Sequence, residues 1–393
     1  MKITVREGDT LWYYSQLFDV PLQLVLDSNN NTRKSIEAGE ELEIPGYIKK
    51  EINLDKGESL WSIATKRHLP LDSLFLLNGS RDADSINEKS TLFIPIKVSK
   101  SFIQSDKPYD FNTLNKDIRR LTAIYPFIRQ ETIGHSVLGK PIKELNVGNG
   151  PKKVHINAAM HANEWITASV IMTFLNDYLG ALTHRKTIRG LTMAPFYDQV
   201  TLSIVPMVNP DGVDLSIHGA DVEDARKVIE LNHGSRDFSI WKANIRGIDL
   251  NDQFPAMWEE ERKEGESDPG PRDYGGEKPL SEPEALALAD LTKRKNFDRV
   301  IAIHTQGEVI YWGFNGQEPP ETEYIVNEFS RVSGYDAERY VESYAGYKDW
   351  FEQEFHKPGF TLELGKGENP LPLTQFHEIY QKSLGIFLAH LYL

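Results

Sequence analysis

The chain contains no cysteine, which excludes disulfides, thiolate zinc sites, iron–sulfur clusters and a cysteine nucleophile together. Any metal must therefore rest on histidine and carboxylate ligands. Positive charge is also scarce: 44 Lys and Arg stand against 58 Asp and Glu, a net of −14. The acidic side chains are spread along the chain, so no basic surface for nucleic acid or an anionic membrane is expected. No apolar run reaches the roughly 20 residues that a membrane-crossing helix needs. Arg6, Glu7 and Asp9 interrupt the N-terminal stretch MKITVREGDTLWYY, so no secretion signal is expected. With 393 residues, the chain is long enough for more than one domain.

What is present first is a repeat. VREGDTLW, ending at Trp12, returns as LDKGESLW, ending at Trp61; Gly8 pairs with Gly57 and Thr10 with Ser59, an offset of 49 residues. Downstream, LVLDSN ending at Asn29 matches LFLLN ending at Asn78, and each copy closes on an apolar-Ile-Pro step at Pro45 and Pro95. Each copy predicts a strand, a Thr or Ser N-cap, an amphipathic helix, a second helix, and a closing strand stopped by proline. This βααβ pattern resembles the LysM module, which binds the glycan of peptidoglycan or chitin. Residues 1–46 and 50–97 are assigned to the two modules, 98–108 to a linker and 109–393 to a larger domain. Trp12 and Trp61 are expected either in the small core or on the module surface.

Beyond residue 109 the pattern changes. Apolar strands such as VHINAA, VTLSIVPMV, DRVIAIH and GFTLEL alternate with helical stretches, which predicts an α/β fold with helices on both faces of the sheet. Ser281 and Glu284 predict a capping box at the start of the helix SEPEALALADLTKR. The charged stretch from Glu259 to Lys278 predicts a solvated loop.

Candidate chemistry sits at strand ends. His161 and Glu164 follow the strand VHINAA at i, i+3, His304 ends RVIAIH, and Glu363 lies near the end of GFTLEL. Carboxyl ends of strands are where open α/β sheets place ligands. Two His and one carboxylate form the ligand set of a catalytic zinc that leaves a position open for water, and a further carboxylate, Glu363, suits a general base.

The ordered set HANEW, VNPDG, IRGIDLN, PLSEPE, AIH and FTLEL is similar to the zinc carboxypeptidase family typified by carboxypeptidase A. The resemblance implies a mixed sheet flanked by helices and one zinc per chain, held by His161, Glu164 and His304. It also implies Glu363 as general base, Arg246 as the cation polarising the scissile carbonyl, Asp249 as the carboxylate orienting His161, and Asn251 as a substrate contact. Either Tyr344 or Tyr347 would be the tyrosine that covers the substrate. Where the family has Asn-Arg, this chain reads Asn251-Asp252. An anion in place of the arginine removes the clamp for a C-terminal carboxylate, so Asp252 is expected to meet an amino group.

That departure, with the LysM pair, resembles the bacterial γ-D-glutamyl-meso-diaminopimelate endopeptidases. It implies that the partners are peptidoglycan glycan and stem peptide, while the charge balance argues against nucleic acid and membrane; with no secretion signal expected, the enzyme is expected to act on cell wall from the cytoplasm or a sporulation compartment. Two alternatives stay open: an exo-acting carboxypeptidase removing a basic C-terminal residue, and an inactive wall-binding scaffold.

Overall fold

The computed structural model describes residues 1–29, 35–55, 58–79, 91–220, 225–339 and 343–393; Gly57 of the repeat lies outside them. The chain forms two compact units. One comprises residues 1–102 with 117–129 and 176–195, the other 103–116, 130–175 and 196–393. No described helix is long and apolar enough to cross a membrane.

The first unit contains the repeat. Copy one is β1 (Lys2–Thr4), α1 (Leu11–Leu17), α2 (Leu22–Ser28) and β2 (Glu41–Glu43); copy two is β3 (Tyr47–Asn53), α3 (Leu60–Arg67), α4 (Leu71–Asn78) and β4 (Thr91–Lys97). Thr10 caps α1 by accepting from the Tyr13 N–H, and Ser59 caps α3 in a reciprocal box with Ser62. The paired asparagines do the same work in both copies. Asn29 bonds the backbone of Glu43 in both directions, and Asn78 bonds that of Phe93, so each clamps the closing strand onto the second helix.

The structure decides one open alternative and corrects one expectation. Trp12 and Trp61 are 62% and 65% exposed, because the preceding residues, Leu11 and Leu60, take the inward position on the first turn and the tryptophans fall outside the apolar stripe. Pro95 does not stop the closing strand, since β4 runs through it to Lys97. A two-stranded ribbon has an open edge on which a residue without an N–H costs nothing.

Next in the chain come α5 (Phe111–Ile124), β5 (Arg129–His135), β6 (Pro141–Val147), β7 (Lys152–Ala158), α6 (Ile166–Thr183), the short pair β8 (Thr187–Ile188) and β9 (Leu191–Thr192), α7 (Ala194–Gln199), β10 (Val200–Val205), α8 (Pro210–His218), α9 (Ala225–Leu231) and α10 (Trp258–Glu264). The chain ends with α11 (Pro283–Lys295), β11 (Arg299–His304), β12 (Val309–Trp312), α12 (Glu321–Ser333), β13 (Asp336–Arg339), α13 (Tyr347–Phe355), β14 (Gly359–Glu363) and α14 (Phe376–Tyr392). The main sheet is mixed and eight-stranded, in the order β13-β12-β14-β11-β7-β10-β6-β5. Its centre, β14-β11-β7-β10, is parallel. In register Ile303 sits opposite Ala158 and His304 opposite Glu363, so three strands deliver their carboxyl ends to one place.

Two other expectations change. The N-cap of α11 is Glu282, not Ser281, with Pro283 in the first turn. Ser281 instead donates to Gln253, and Glu284 accepts from the Val137 N–H, so both side chains serve tertiary contacts rather than a box. The charged stretch begins as helix α10 and later buries Tyr274.

Leu60 and Trp61 make a test of the helix orientation in the second copy. Leu60→Ala should destabilise the full chain by about 2–5 kcal/mol through cavity formation, whereas Trp61→Ala should stay within about 0.5 kcal/mol. Chemical denaturation of both variants measures this; equal losses would reverse the assignment of faces.

Candidate active site

The loop after β7 is built by backbone satisfaction. Ala159 takes a left-handed conformation, φ 47°. Its N–H donates to the Thr167 hydroxyl, which itself donates to the Glu164 carbonyl. Asn209 of the VNPDG motif caps α8 and donates to the carbonyls of Met160 and Ala243, tying three segments together. The loop is thereby held as it turns into the short 3₁₀ turn Ala162–Glu164.

On it, His161 and Glu164 meet His304 from β11. His161 Nδ1 lies 2.9 Å from Glu164 Oε1 and 3.0 Å from His304 Nδ1, which is 3.1 Å from Glu164 Oε2. All three residues are buried. Two ring nitrogens and two carboxylate oxygens thus point at one another, with more lone pairs than protons to share, an arrangement that a cation resolves. Among the described residues His304 Nε2 has no hydrogen-bond partner, so no group there prevents Nε2 from carrying the proton and Nδ1 from presenting its lone pair to a cation. The donor set therefore fits a divalent metal.

Asp249 stands behind the triad. Its Oδ1 is 3.2 Å from His161 Nε2 and its Oδ2 is 2.9 Å from Lys242 Nζ. Burial opposes its charge, but Lys242 and His161 outweigh burial and hold Asp249 well below the usual carboxylate range. Burial likewise opposes a charged His161, yet Glu164 and Asp249 lift it to about 10, so without a cation a proton neutralises the site. Glu363 is pushed well above the usual range, first by burial and then by the Glu164 charge.

A cavity of about 500 Å³ opens over this set, and its lining includes His161, Glu164, Lys242, Arg272, Tyr311 and Glu363. Arg246 does not line it. Its side chain is 47% exposed and reaches Glu282 at 3.4 Å; the cation of this segment that lines the cleft is Lys242, four residues earlier. Gly247, at φ 78°, and the Asn244 side chain, which accepts from the N–H groups of both Arg246 and Ile248, turn the chain so that Arg246 points away.

The remaining expected residues divide. Asn251 lines a second, smaller cavity that shares Glu363 and Tyr311 with the first. Asp252 lines neither cavity; it is 9% exposed, and burial with the neighbouring Asp249 charge raises it well above the usual carboxylate range. Tyr347 is fully buried with its hydroxyl on Thr292, and Tyr344 is half-buried against Phe314. Neither lines the cleft: Tyr347 opens α13 and packs into the core, and Tyr344, three residues before it, packs partly buried against the same core.

Sequence reasoning missed Lys242, Tyr311 and Asn369. Asn369 donates to Glu164 Oε1 at 3.3 Å and to the Thr305 carbonyl at 2.8 Å, so it steadies the ligand carboxylate. A lysine beside a tryptophan in WKANIRG was a signal available for the first; nothing local marks the other two.

The geometry predicts that His304→Ala loses bound metal on elemental analysis, while retention at the parent level would reject the ligand set. Because imidazole ligands must shed their protons, affinity should fall as pH is lowered and binding near neutral pH should release about one proton. Calorimetry in buffers of different ionisation enthalpy reads that number.

Comparison with known proteins agrees with this geometry. Residues 114–384 match the zinc carboxypeptidase family, and residues 3–45 and 55–95 match the LysM domain. The chain is 53% identical over 396 aligned positions, covering all of both chains, to "Gamma-D-glutamyl-L-diamino acid endopeptidase 1" of Lysinibacillus sphaericus. It is 44% identical to the uncharacterized protein YqgT of Bacillus subtilis (strain 168), over 76% of this chain and 81% of that one. The fold also matches the crystal structure of thrombin-activatable fibrinolysis inhibitor with a TM-score of 0.58 at 18% identity, covering 79% of this chain and 89% of that one. Three carboxyl-end side chains on a mixed sheet and a match over most of the chain lead to one conclusion: this protein belongs to the zinc carboxypeptidase family and is a zinc metallopeptidase preceded by two LysM domains.

Proposed function

We propose that the protein is an endopeptidase that hydrolyses the γ-D-glutamyl–meso-diaminopimelate bond of peptidoglycan stem peptides, with one zinc per chain and its LysM modules holding it on glycan. The observation that carries this reading is the full-length match to a γ-D-glutamyl-L-diamino acid endopeptidase, which spans the LysM modules and the peptidase domain together. The cleft chemistry is compatible with it. At the sequence position where the resembling family carries its clamp arginine, this chain has Asp252, which lines neither cavity, so that position supplies no cation to hold a terminal carboxylate. A D-glutamyl residue joined through its γ-carbonyl keeps a free α-carboxylate, and Arg272 supplies a cation on the cleft wall.

Zinc held by His161, Glu164 and His304 would polarise the scissile carbonyl and acidify water. Glu363 takes the proton from the attacking water and returns it to the departing amine; its raised affinity for protons, set by burial and Glu164, suits a group that must hold one in mid-reaction. Lys242, in the role first expected of Arg246, donates to the carbonyl oxygen as negative charge develops. Two of its donors engage Asp249 and Asp273, leaving a third for substrate. Asp249 orients His161 and Lys242 at once. The LysM pair raises the local concentration of substrate without touching the bond cut.

Glu363→Gln should retain zinc and lose about 10²–10⁴-fold in kcat. Lys242→Met should lose about 10²–10³-fold, whereas Arg246→Ala should change kcat/KM only a few-fold; the opposite ranking would return the oxyanion role to Arg246. The bond assignment is tested by mass spectrometry of L-Ala-γ-D-Glu-meso-diaminopimelate with and without a terminal D-Ala. Release of diaminopimelyl-D-Ala from the longer peptide is expected; cleavage of the shorter peptide alone would mark an exopeptidase.

A further inference from the structure

Two side chains of the repeat serve neither the core nor the reaction. Trp12 and Trp61 are exposed, whereas Trp165, Trp241, Trp258, Trp312 and Trp350 are all buried. A single exposed apolar side chain needs no explanation, but these two hold equivalent places, each on the first turn of the first helix of its copy. Their neighbours differ: Tyr13, Gln16 and Leu17 in one copy stand where the other has Ser62, Thr65 and Lys66. Packing does not demand the indole, since Leu11 and Leu60 fill the inward position beside it. Both copies thus keep the same large ring facing outward while the surface around it varies.

The rim of each ring carries no free charge. One helical turn further on stand Gln16 and Thr65, both uncharged and exposed. The acid three residues before each ring is already matched. Asp9 meets Arg6 at 2.7 Å and the Tyr14 hydroxyl at 2.8 Å; Glu58 meets Lys66 at 3.3 Å and the Asp55 N–H at 3.1 Å. Helix side chains lean toward the N-terminus, which directs Trp12 toward Gly8, where no atom stands within 4 Å of the position a Cβ would take. The turn is also held in place. Arg6 donates to Asp72 of the second copy at 2.9 Å, and the hydroxyl of Tyr13, the residue after Trp12, meets the same carboxylate.

A flat exposed ring with a charge-balanced rim suits a ligand that has apolar faces, hydroxyl groups and no net charge. A β-linked N-acetylhexosamine is such a ligand: its axial C–H groups form a flat face that stacks on the electron-rich face of an indole. An anionic wall polymer is not, because a chain of net charge −14 repels it. We propose that Trp12 and Trp61 are sugar-stacking platforms, one on each copy, that grip the uncharged sugars of a glycan strand. The inference rests on the reading of the LysM pair as the part that holds glycan, and deepens it by naming the helix surface that makes contact. Because Arg6 and Tyr13 join the copies through Asp72, the platforms keep a set spacing, and a long strand held at one raises the effective concentration of sugar at the other.

The test uses the full-length zinc enzyme and a β-linked N-acetylglucosamine hexamer, a glycan without stem peptide. Calorimetry should show binding, and Trp12→Ala and Trp61→Ala should each weaken it by about 5- to 30-fold, the cost of truncating a central aromatic contact. Trp12→Tyr and Trp61→Tyr should recover most of the affinity. On a small soluble stem peptide all these variants should keep the parent kcat/KM, which also shows that they fold. A second measurement needs no variant: acrylamide quenches exposed indoles ahead of buried ones, so the hexamer should shield part of the parent's fluorescence. Hexamer binding with neither shielding nor loss in the Trp12→Ala/Trp61→Ala double variant would overturn the inference and leave the glycan-holding reading standing. Binding of sacculi only while they carry anionic polymer would overturn it as well, since the ligand would then be the charged chain. Failure of the parent to bind either the hexamer or sacculi would overturn both.

Discussion

One buried carboxylate organises the site. Asp249 is fully shielded from solvent and touches His161, Lys242 and the backbone N–H groups of Asn251 and Asp273. Removing such a charge from water costs several kcal/mol, and only good geometry with several partners offsets it. That requirement runs in both directions. The carboxylate fixes the ring of a metal ligand and the ammonium beside the cleft, and Lys242 first, then His161, keep the carboxylate ionised. The presentation of His161 and the aim of Lys242 are therefore one arrangement rather than two.

Charge balance extends outward from there. Glu164 and Glu363 face the same cleft, and burial first, with the Glu164 charge second, makes Glu363 favour its proton. Lys242 and Arg272 are positive groups on the cleft wall, and a metal held by His161, Glu164 and His304 would add to them in letting two carboxylates work at short range. Around the corner, Lys348 and Asp349 form an ion pair, with Glu352 Oε2 3.8 Å from the ammonium. The cleft thus has an anion-seeking wall on one side of Glu363 and a wall of mixed charge on the other, an asymmetry that gives the two ends of a substrate different receptions.

The framework beneath is the parallel centre of the sheet. Because β7, β11 and β14 are hydrogen-bonded neighbours, residues far apart in sequence end at one level, and the loops that leave them need only a few side-chain bonds, such as those of Asn209 and Asn369, to close the geometry. Gln253 does the corresponding work for the α11 entry by accepting from Ser281 and Glu282. A change at this position of DLNDQF would act through support rather than through substrate.

Residue patterns alone determined the LysM repeat, the α/β class, and the convergence of His161, Glu164, His304 and Glu363. Each is written in local spacing: a cap followed by an amphipathic helix, or a polar residue at the end of an apolar strand. Tertiary structure decided the rest. Lys242 and Arg246 share a short segment with the same charge, and only the turn at Gly247 tells which one faces the cleft. Ser281 and Glu284 have the spacing of a capping box, yet stronger partners on Gln253 and Val137 claim them. Trp12 and Trp61 read equally well as core or surface until the helix phase is set. Asp252 and Lys348 look alike as charges on a motif, but one is sealed behind the wall and the other lines a cavity. Spacing encodes which neighbours a residue has along its own element; the direction a side chain takes depends on packing among elements distant in the chain, and that is settled only when they meet.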